Sequence, residues 1–290
     1  MTIPLLWPLL QKGWAGYSAD EKKEHYRKLV IDVISFPFCG LWYCFLASLV
    51  LPGSAAGETS AADFERTTSQ CVVQAILAVA AVYALMMNII GMPGTTADSD
   101  AHRAQSAALG KWIYLTRHGL ALQAWHQILS LASVVSPQLN LMTHGATLWV
   151  AAFGWFICIQ YFVMVVPSQA CQEEFALWKS RGLDFEGIDF LVHAPALPIA
   201  LLDVAYAKSA PLLRAAVDSS RIYCFLPGYI VFYLCVITWN HRRVGVWPYG
   251  LMRALGTSVS KWAMFLCTQT LVMITFATLN LFLIFLRTRR

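Results

Sequence analysis

Two residues in apolar stretches of the chain provide a hydroxyl and an imidazole, which together permit nucleophilic cleavage of an ester. Thr116 follows Trp112-Ile-Tyr-Leu, and His193 lies between Phe-Leu-Val and Ala-Pro. A threonine hydroxyl attacks slowly until a base removes its proton, and a neutral imidazole within hydrogen-bonding reach can be that base. His193 could then return the proton to the leaving alcohol of an ester.

Other charged residues could assist this pair. Asp189 lies four residues before His193 and therefore on the same helix face. It could orient the imidazole as the third member of a catalytic triad does, or it could be a solvated cap residue near the membrane surface. His241, Arg242 and Arg243 follow a later apolar stretch, and they are candidates for contacts with a substrate or with lipid headgroups.

Simpler roles are open for the same residues. A threonine in a membrane helix usually bonds to the preceding turn or to a neighbouring helix. His118 and His126, which share an apolar stretch with Thr116, are equally compatible with helix packing. An intramembrane histidine is costly and therefore a stronger functional candidate, which favours His193.

The composition predicts that an all-α, polytopic transmembrane helical bundle positions these residues. Hydrophobic residues make up 58% of the 290 residues and charged residues 13%, whereas soluble domains carry about 25% charged residues. The apolar residues come in runs long enough to cross a bilayer. We predict about seven spans, at residues 30–53, 70–92, 113–135, 145–167, 189–207, 222–239 and 262–286.

This order of spans predicts that Thr116 and His193 converge. Their spans are two crossings apart and therefore run in the same direction, so both residues should lie about 5–8 Å below the same membrane surface. Trp239 and the basic residues that follow it arrive on that side too. Lys and Arg are more frequent in the loops of this side, which predicts a cytosolic N-terminus.

Several function classes lack support in the sequence. The net charge of +5 comes from Lys and Arg at span ends and in loops, as topology signals do, so we expect no nucleic-acid partner. The eight cysteines form no Cys-x-x-Cys pair and no zinc-binding spacing, and we expect neither a metal nor a cofactor. The start of the chain is not an Arg- and Ser-rich transit peptide. We therefore expect an endomembrane or the plasma membrane rather than an organelle inner membrane.

Three motifs occur in order, with compatible spacing, over about residues 70–286. They are W-I-Y-L-T-x-x-x-L-x-L-Q-A from Trp112, H-x-x-x-L-P from His193, and W-x-H-x-x-x-G-x-W-x-Y from Trp239. Together they resemble the signatures of the androgen-induced protein family, which are integral-membrane threonine hydrolases that cleave fatty acid esters of hydroxy fatty acids. The resemblance implies that Thr116 is the nucleophile, that His193 is the general base and acid, and that the substrate is a lipid within the bilayer.

The resemblance also predicts that the chain has two parts. The family has six spans, so residues 70–290 would form a six-helix membrane hydrolase-like domain, and residues 1–69 an N-terminal extension with an extra transmembrane helix. The alternative is a non-catalytic multi-pass protein that binds lipid or serves as an accessory subunit of a membrane complex. Phe190, at a position where the family usually has a second histidine, favours this alternative. Protein partners are not predicted.

Overall fold

The computed structural model describes residues 18–51, 66–91, 103–106 and 109–288. Residues 1–17 and 52–65 of the predicted N-terminal extension lie outside this description. The described residues form helices and no strands, which confirms the all-α prediction. In chain order the α-helices are α1 (Ala19–Val50), α2 (Thr68–Met86), α3 (Leu115–Ala132), α4 (Pro137–Gln160), α5 (Gln169–Ser180), α6 (Phe185–His193), α7 (Ala196–Leu202), α8 (Ala210–Ala216), α9 (Ser219–Val244), α10 (Gly250–Leu255) and α11 (Val259–Thr288).

Shorter helical turns extend or precede some of these helices. Single π-helical turns, Met87–Gly91, Tyr161–Val165 and Asp203–Ala207, continue α2, α4 and α7. A 3₁₀ turn, Gly110–Ile113, leads into α3, and another, Ser133–Val135, follows it.

Six helical segments of the described chain are long and apolar enough to cross a membrane. They are Tyr26–Val50, Thr68–Ile90, Pro137–Val165, Phe185–Ala207, Ser219–Val244 and Val259–Arg287. Each coincides with a predicted span, and the protein is therefore an integral-membrane helical bundle. The remaining predicted span, 113–135, corresponds to α3 and its flanking turns, and α3 carries too many polar residues to be one of the six.

The position of α3 inside the bundle explains its polarity. It packs against α1, α2 and α4, and its side chains Arg117, Gln123, His126 and Gln127 are all buried. Polar side chains at membrane depth are tolerated where they face protein partners rather than lipid. The helix that hydropathy leaves out of the six apolar segments is therefore one whose polar side chains are enclosed by the bundle.

Helix α1 is part of the same bundle. It packs on α3 and α4, and its Asp32 pairs with Arg117 of α3 at 2.5 Å. The Tyr43 hydroxyl lies 2.8 Å from Nδ1 of His126, also on α3. The helix predicted as an addition to a six-span domain therefore supplies buried polar partners to the central helix.

The predicted span 189–207 is broken in the middle, as its prolines indicate. Helix α6 ends at His193, a turn through Pro195 follows, and α7 begins at Ala196. Proline cannot donate a backbone hydrogen bond, so a break leaves carbonyls that need other partners. Gln123 of α3 donates to the Ala196 carbonyl at 2.9 Å. Gly154 lets α4 approach α7 closely, because a Cβ at this position would lie 2.7 Å from the Ala196 carbonyl oxygen.

Candidate active site

Thr116 and His193 meet inside the bundle. Thr116 is the second residue of α3 and His193 the last of α6, and Oγ1 of Thr116 lies 3.3 Å from Nε2 of His193. The predicted convergence is therefore confirmed, and the two atoms lie within hydrogen-bonding distance of each other.

The hydrogen bonds of His193 define its tautomer. Its Nδ1 lies 2.9 Å from the backbone carbonyl of Asp189 and 3.2 Å from Oδ1 of the same residue. A carbonyl oxygen only accepts, so Nδ1 carries the proton of the neutral ring and donates it. Nε2 is then the unprotonated nitrogen, and the Thr116 hydroxyl donates to it. This is the tautomer that a general base requires.

Asp189 is buried beside His193 rather than solvated at the membrane surface. Only 5% of the residue is exposed. The Tyr161 hydroxyl also contacts its carboxylate, and the Tyr161 ring stacks on the imidazole. Of the two roles open in the sequence, the geometry suits the orienting one, because the carboxylate faces Nδ1.

The Thr116–His193 pair lies on the wall of a cavity of about 610 Å³. Polar lining residues Ser168, Gln169, Glu173 and Arg253 come from the start of α5 and from α10. Along α9 the lining extends from Tyr229 to Ile237 and therefore covers about 12 Å of helix. The apolar walls come mainly from α4, α9 and α11, with the side chains Phe156, Ile157, Met164, Ile230, Leu234, Ile237, Phe265, Leu266 and Met273.

Two tyrosine hydroxyls cap the start of α3, next to Thr116. The Leu115 N–H donates to Tyr233 at 3.0 Å and to Tyr249 at 2.9 Å. Both tyrosines line the cavity, and burial raises the pKa of Tyr249. The roles of these hydroxyls were not predicted, although Tyr249 is the last residue of the third motif.

The basic residues at the end of α9 do not join the cavity lining. Ile237 is the last lining residue of that helix, and α9 continues for two further turns. His241 stacks on Trp247, with ring centroids 4.0 Å apart. Arg242 and Arg243 are exposed. These three residues are therefore not among those that line the described cavity with Thr116 and His193, and their contact with a substrate or with lipid headgroups stays a prediction.

Other polar residues of α3 have packing roles. His118 donates from Nε2 to the Trp112 carbonyl at 2.6 Å and accepts at Nδ1 from the Tyr229 hydroxyl at 3.1 Å. Arg117 bonds Asn88 at 2.8 Å in addition to its pairing with Asp32. These contacts satisfy both side chains and tie α3 to its neighbours.

A second buried polar cluster, centred on Asp203, lies on the far half of the bundle. Its carboxylate is 2.9 Å from Nε2 of His126 and 3.7 Å from Nζ of Lys208. Nζ of Lys208 also contacts the Ser130 hydroxyl, and burial lowers the pKa of Lys208 to about 7. Neither Asp203 nor Lys208 lines the cavity, so we assign this cluster to packing.

Sequence and structure comparisons add no relative. Compared with family models, with curated proteins and with solved structures, the chain gives no match. The androgen-induced family therefore stays a prediction that rests on the three motifs.

Proposed function

We propose that the protein is an intramembrane lipid-ester hydrolase with Thr116 as nucleophile and His193 as general base. One observation carries the proposal: the Thr116 hydroxyl donates to His193 Nε2 at 3.3 Å on the wall of an apolar cavity, and Asp189 holds the other ring nitrogen. A hydroxyl, a base and an orienting carboxylate in this order form the arrangement that activates a nucleophile in acyl transfer.

The first half of the reaction follows from the proton positions. Oγ1 of Thr116 attacks the ester carbonyl carbon while its proton passes to Nε2 of His193. The resulting imidazolium keeps its Nδ1–H on Asp189, whose carboxylate stabilises the positive charge. When the tetrahedral intermediate collapses, the imidazolium gives its proton to the leaving alkoxide, and the products are an alcohol and an acyl-threonine.

Water completes the cycle. It attacks the acyl-threonine carbonyl while His193 again accepts a proton at Nε2. The second collapse breaks the Thr116–acyl bond and returns that proton to Oγ1. One water is consumed, and one carboxylic acid and one alcohol are released.

The cavity suits a lipid substrate. Its walls are mostly apolar, its volume lies within the range of typical small-molecule sites, and the apolar part along α9 and α11 can hold an acyl chain. The motif resemblance narrows the proposed substrate to fatty acid esters of hydroxy fatty acids, drawn from the surrounding bilayer. We propose an endomembrane or the plasma membrane as its location.

The test is turnover of a branched fatty acid ester by purified protein in nanodiscs. We expect Thr116→Ala and His193→Ala each to lose at least about 10²–10⁴ in rate. The double variant should be hardly slower than the slower single variant, because residues that act as a unit are not additive. Thr147→Ala is the matched control, since Thr147 is buried in α4 and its hydroxyl bonds only the preceding turn.

The alternative is a non-catalytic membrane protein that binds lipid in the same cavity. It predicts that wild-type protein binds the ester without turnover and without labelling by a long-chain fluorophosphonate. That result would replace the hydrolase proposal.

A further inference from the structure

The hydroxyl of Tyr249 accepts hydrogen bonds from the backbone at the start of α3. Its oxygen accepts the Leu115 N–H at 2.9 Å, and the backbone N–H of Thr116 also bonds to it. These are two of the first N–H groups of a helix, which have no partner within the helix and carry its partial positive charge. Tyr249 therefore lies directly against the backbone of the proposed nucleophile.

The proton of the Tyr249 hydroxyl is not needed by these contacts. Tyr233 donates its single proton to the Ile113 carbonyl at 2.7 Å, and its oxygen lies 3.3 Å from that of Tyr249. The Tyr249 oxygen accepts backbone N–H groups and is also the accepting side of its contact with Tyr233. Its own proton is therefore free to point into the cavity that Tyr249 lines.

A hydrogen-bond donor at this place has a chemical use. In attack by a side-chain hydroxyl the carbonyl oxygen becomes negatively charged, and fixed donors aimed at that oxygen lower the barrier. The nearby N–H groups of Leu115 and Thr116 are taken up by tyrosine hydroxyls. We propose that Tyr249 is a catalytic residue whose hydroxyl donates to the oxyanion formed when Thr116 attacks the ester.

The step requires no additional reactant. The Thr116 oxygen forms a bond to the carbonyl carbon, the carbonyl π pair moves to oxygen, and His193 holds the proton that Thr116 lost. Tyr249 keeps its proton and shares it with the new oxyanion, and the backbone N–H groups on its oxygen make the hydroxyl a stronger donor. The inference rests on the hydrolase proposal and adds the residue that stabilises its intermediate.

The test compares two inhibitors of the full-length protein. A long-chain trifluoromethyl ketone adds reversibly to a nucleophilic hydroxyl and forms an oxyanion, whereas the methyl ketone of equal length only fills the cavity. We expect Tyr249→Phe to weaken binding of the trifluoromethyl ketone and to lower kcat by about 10²–10³-fold. Binding of the methyl ketone should be unchanged.

Tyr114→Phe is the matched control. Tyr114 packs edge-on against Tyr249, and its hydroxyl bonds Gln105 instead of lining the cavity. We expect it to keep wild-type turnover. A Tyr249→Phe protein that binds the trifluoromethyl ketone as tightly as wild type would overturn the assignment.

A structure of the wild type with the trifluoromethyl ketone covers the case in which Tyr249→Phe does not fold. We expect the hemiketal oxygen about 2.7–3.1 Å from the Tyr249 hydroxyl, and an oxygen outside hydrogen-bonding reach of it would overturn the inference. If the Thr116→Ala protein binds the trifluoromethyl ketone as tightly as wild type, the hydrolase proposal fails and this inference with it. If Thr116→Ala weakens binding of the trifluoromethyl ketone and Tyr249→Phe does not, only the role of Tyr249 fails.

Discussion

Tyr161 lies flat on His193, with ring centroids 3.8 Å apart and an angle of 4° between the planes. Tyr161 begins the single π-helical turn at the end of α4, a distortion that is frequent at functional sites. The stacked ring fixes the plane of the imidazole, while Asp189 fixes its rotation within that plane through Nδ1. Nε2 therefore has one direction in which to point, and Thr116 lies there.

We predict that loss of this stacking slows catalysis. Aromatic pairs contribute roughly 0.5–1.5 kcal/mol beyond their buried area, so Tyr161→Leu should lower kcat about two- to tenfold by letting the imidazole rotate. Tyr161→Phe keeps the stacked ring, and its kcat should fall less. Steady-state kinetics on the branched ester measures both variants, and a Tyr161→Leu enzyme with wild-type kcat would contradict the orienting role.

Replacement of the Asp189 carboxylate should be milder than removal of the base. In Asp189→Asn the backbone carbonyl at 2.9 Å still holds the Nδ1 proton, so the tautomer persists and only the charge that stabilises the imidazolium is lost. We expect a smaller fall in kcat than the about 10²–10⁴ expected for His193→Ala. Equal losses in the two variants would mean that Asp189 does more than orient the ring.

The sequence predicted the helices from the lengths of the apolar runs. It predicted the convergence of Thr116 and His193 because the two residues lie at similar depths in spans that run in the same direction. The number of crossings and the rise per residue determine depth. The rotation of each helix about its axis is set by packing, which explains why the contacts of Tyr161 and Tyr249 were not predicted. Arg242 and Arg243 lie beyond the last cavity-lining residue of α9, so their contacts with substrate or lipid headgroups stay a prediction.

The Asp203 cluster should matter for stability. Asp203→Asn leaves Lys208 buried without its counter-charge, and breaking a buried pair from one side typically costs about 3–5 kcal/mol. The double variant Asp203→Asn with Lys208→Met should recover part of this loss. Thermal unfolding in detergent measures all three proteins, and additive losses would contradict the pairing.

The same cluster predicts a pH dependence. Burial lowers the pKa of Lys208 from its ordinary value of 10.5 to about 7, so between these values the unfolded chain binds more protons than the folded one. The contribution of Lys208 to stability therefore rises with pH across this window and is flat below it. Asp203→Asn should accordingly be most destabilising below pH 7, and a defect that grows from pH 7 to pH 9 would contradict this.

Gly154 should be intolerant of a side chain. A Cβ there would meet the Ala196 carbonyl at 2.7 Å and the Ala200 Cβ at 2.9 Å, so Gly154→Ala must push α4 away from α7. Overpacking of this kind costs about 1–3 kcal/mol. Gly228→Ala is the control, because a Cβ there has open space and alanine stabilises a helix interior by up to about 1 kcal/mol. Melting temperatures that fall in both variants would contradict the close approach.

The site of covalent modification tests most directly whether Thr116 is the nucleophile. Wild-type protein is treated with a long-chain fluorophosphonate and digested, and the modified residue is identified by mass spectrometry. We expect a single adduct on Thr116, formed far more slowly in His193→Ala and absent in Thr116→Ala, with Thr147→Ala labelled as wild type. An adduct on another residue, or labelling of Thr116→Ala at the wild-type rate, would contradict the assignment of the nucleophile.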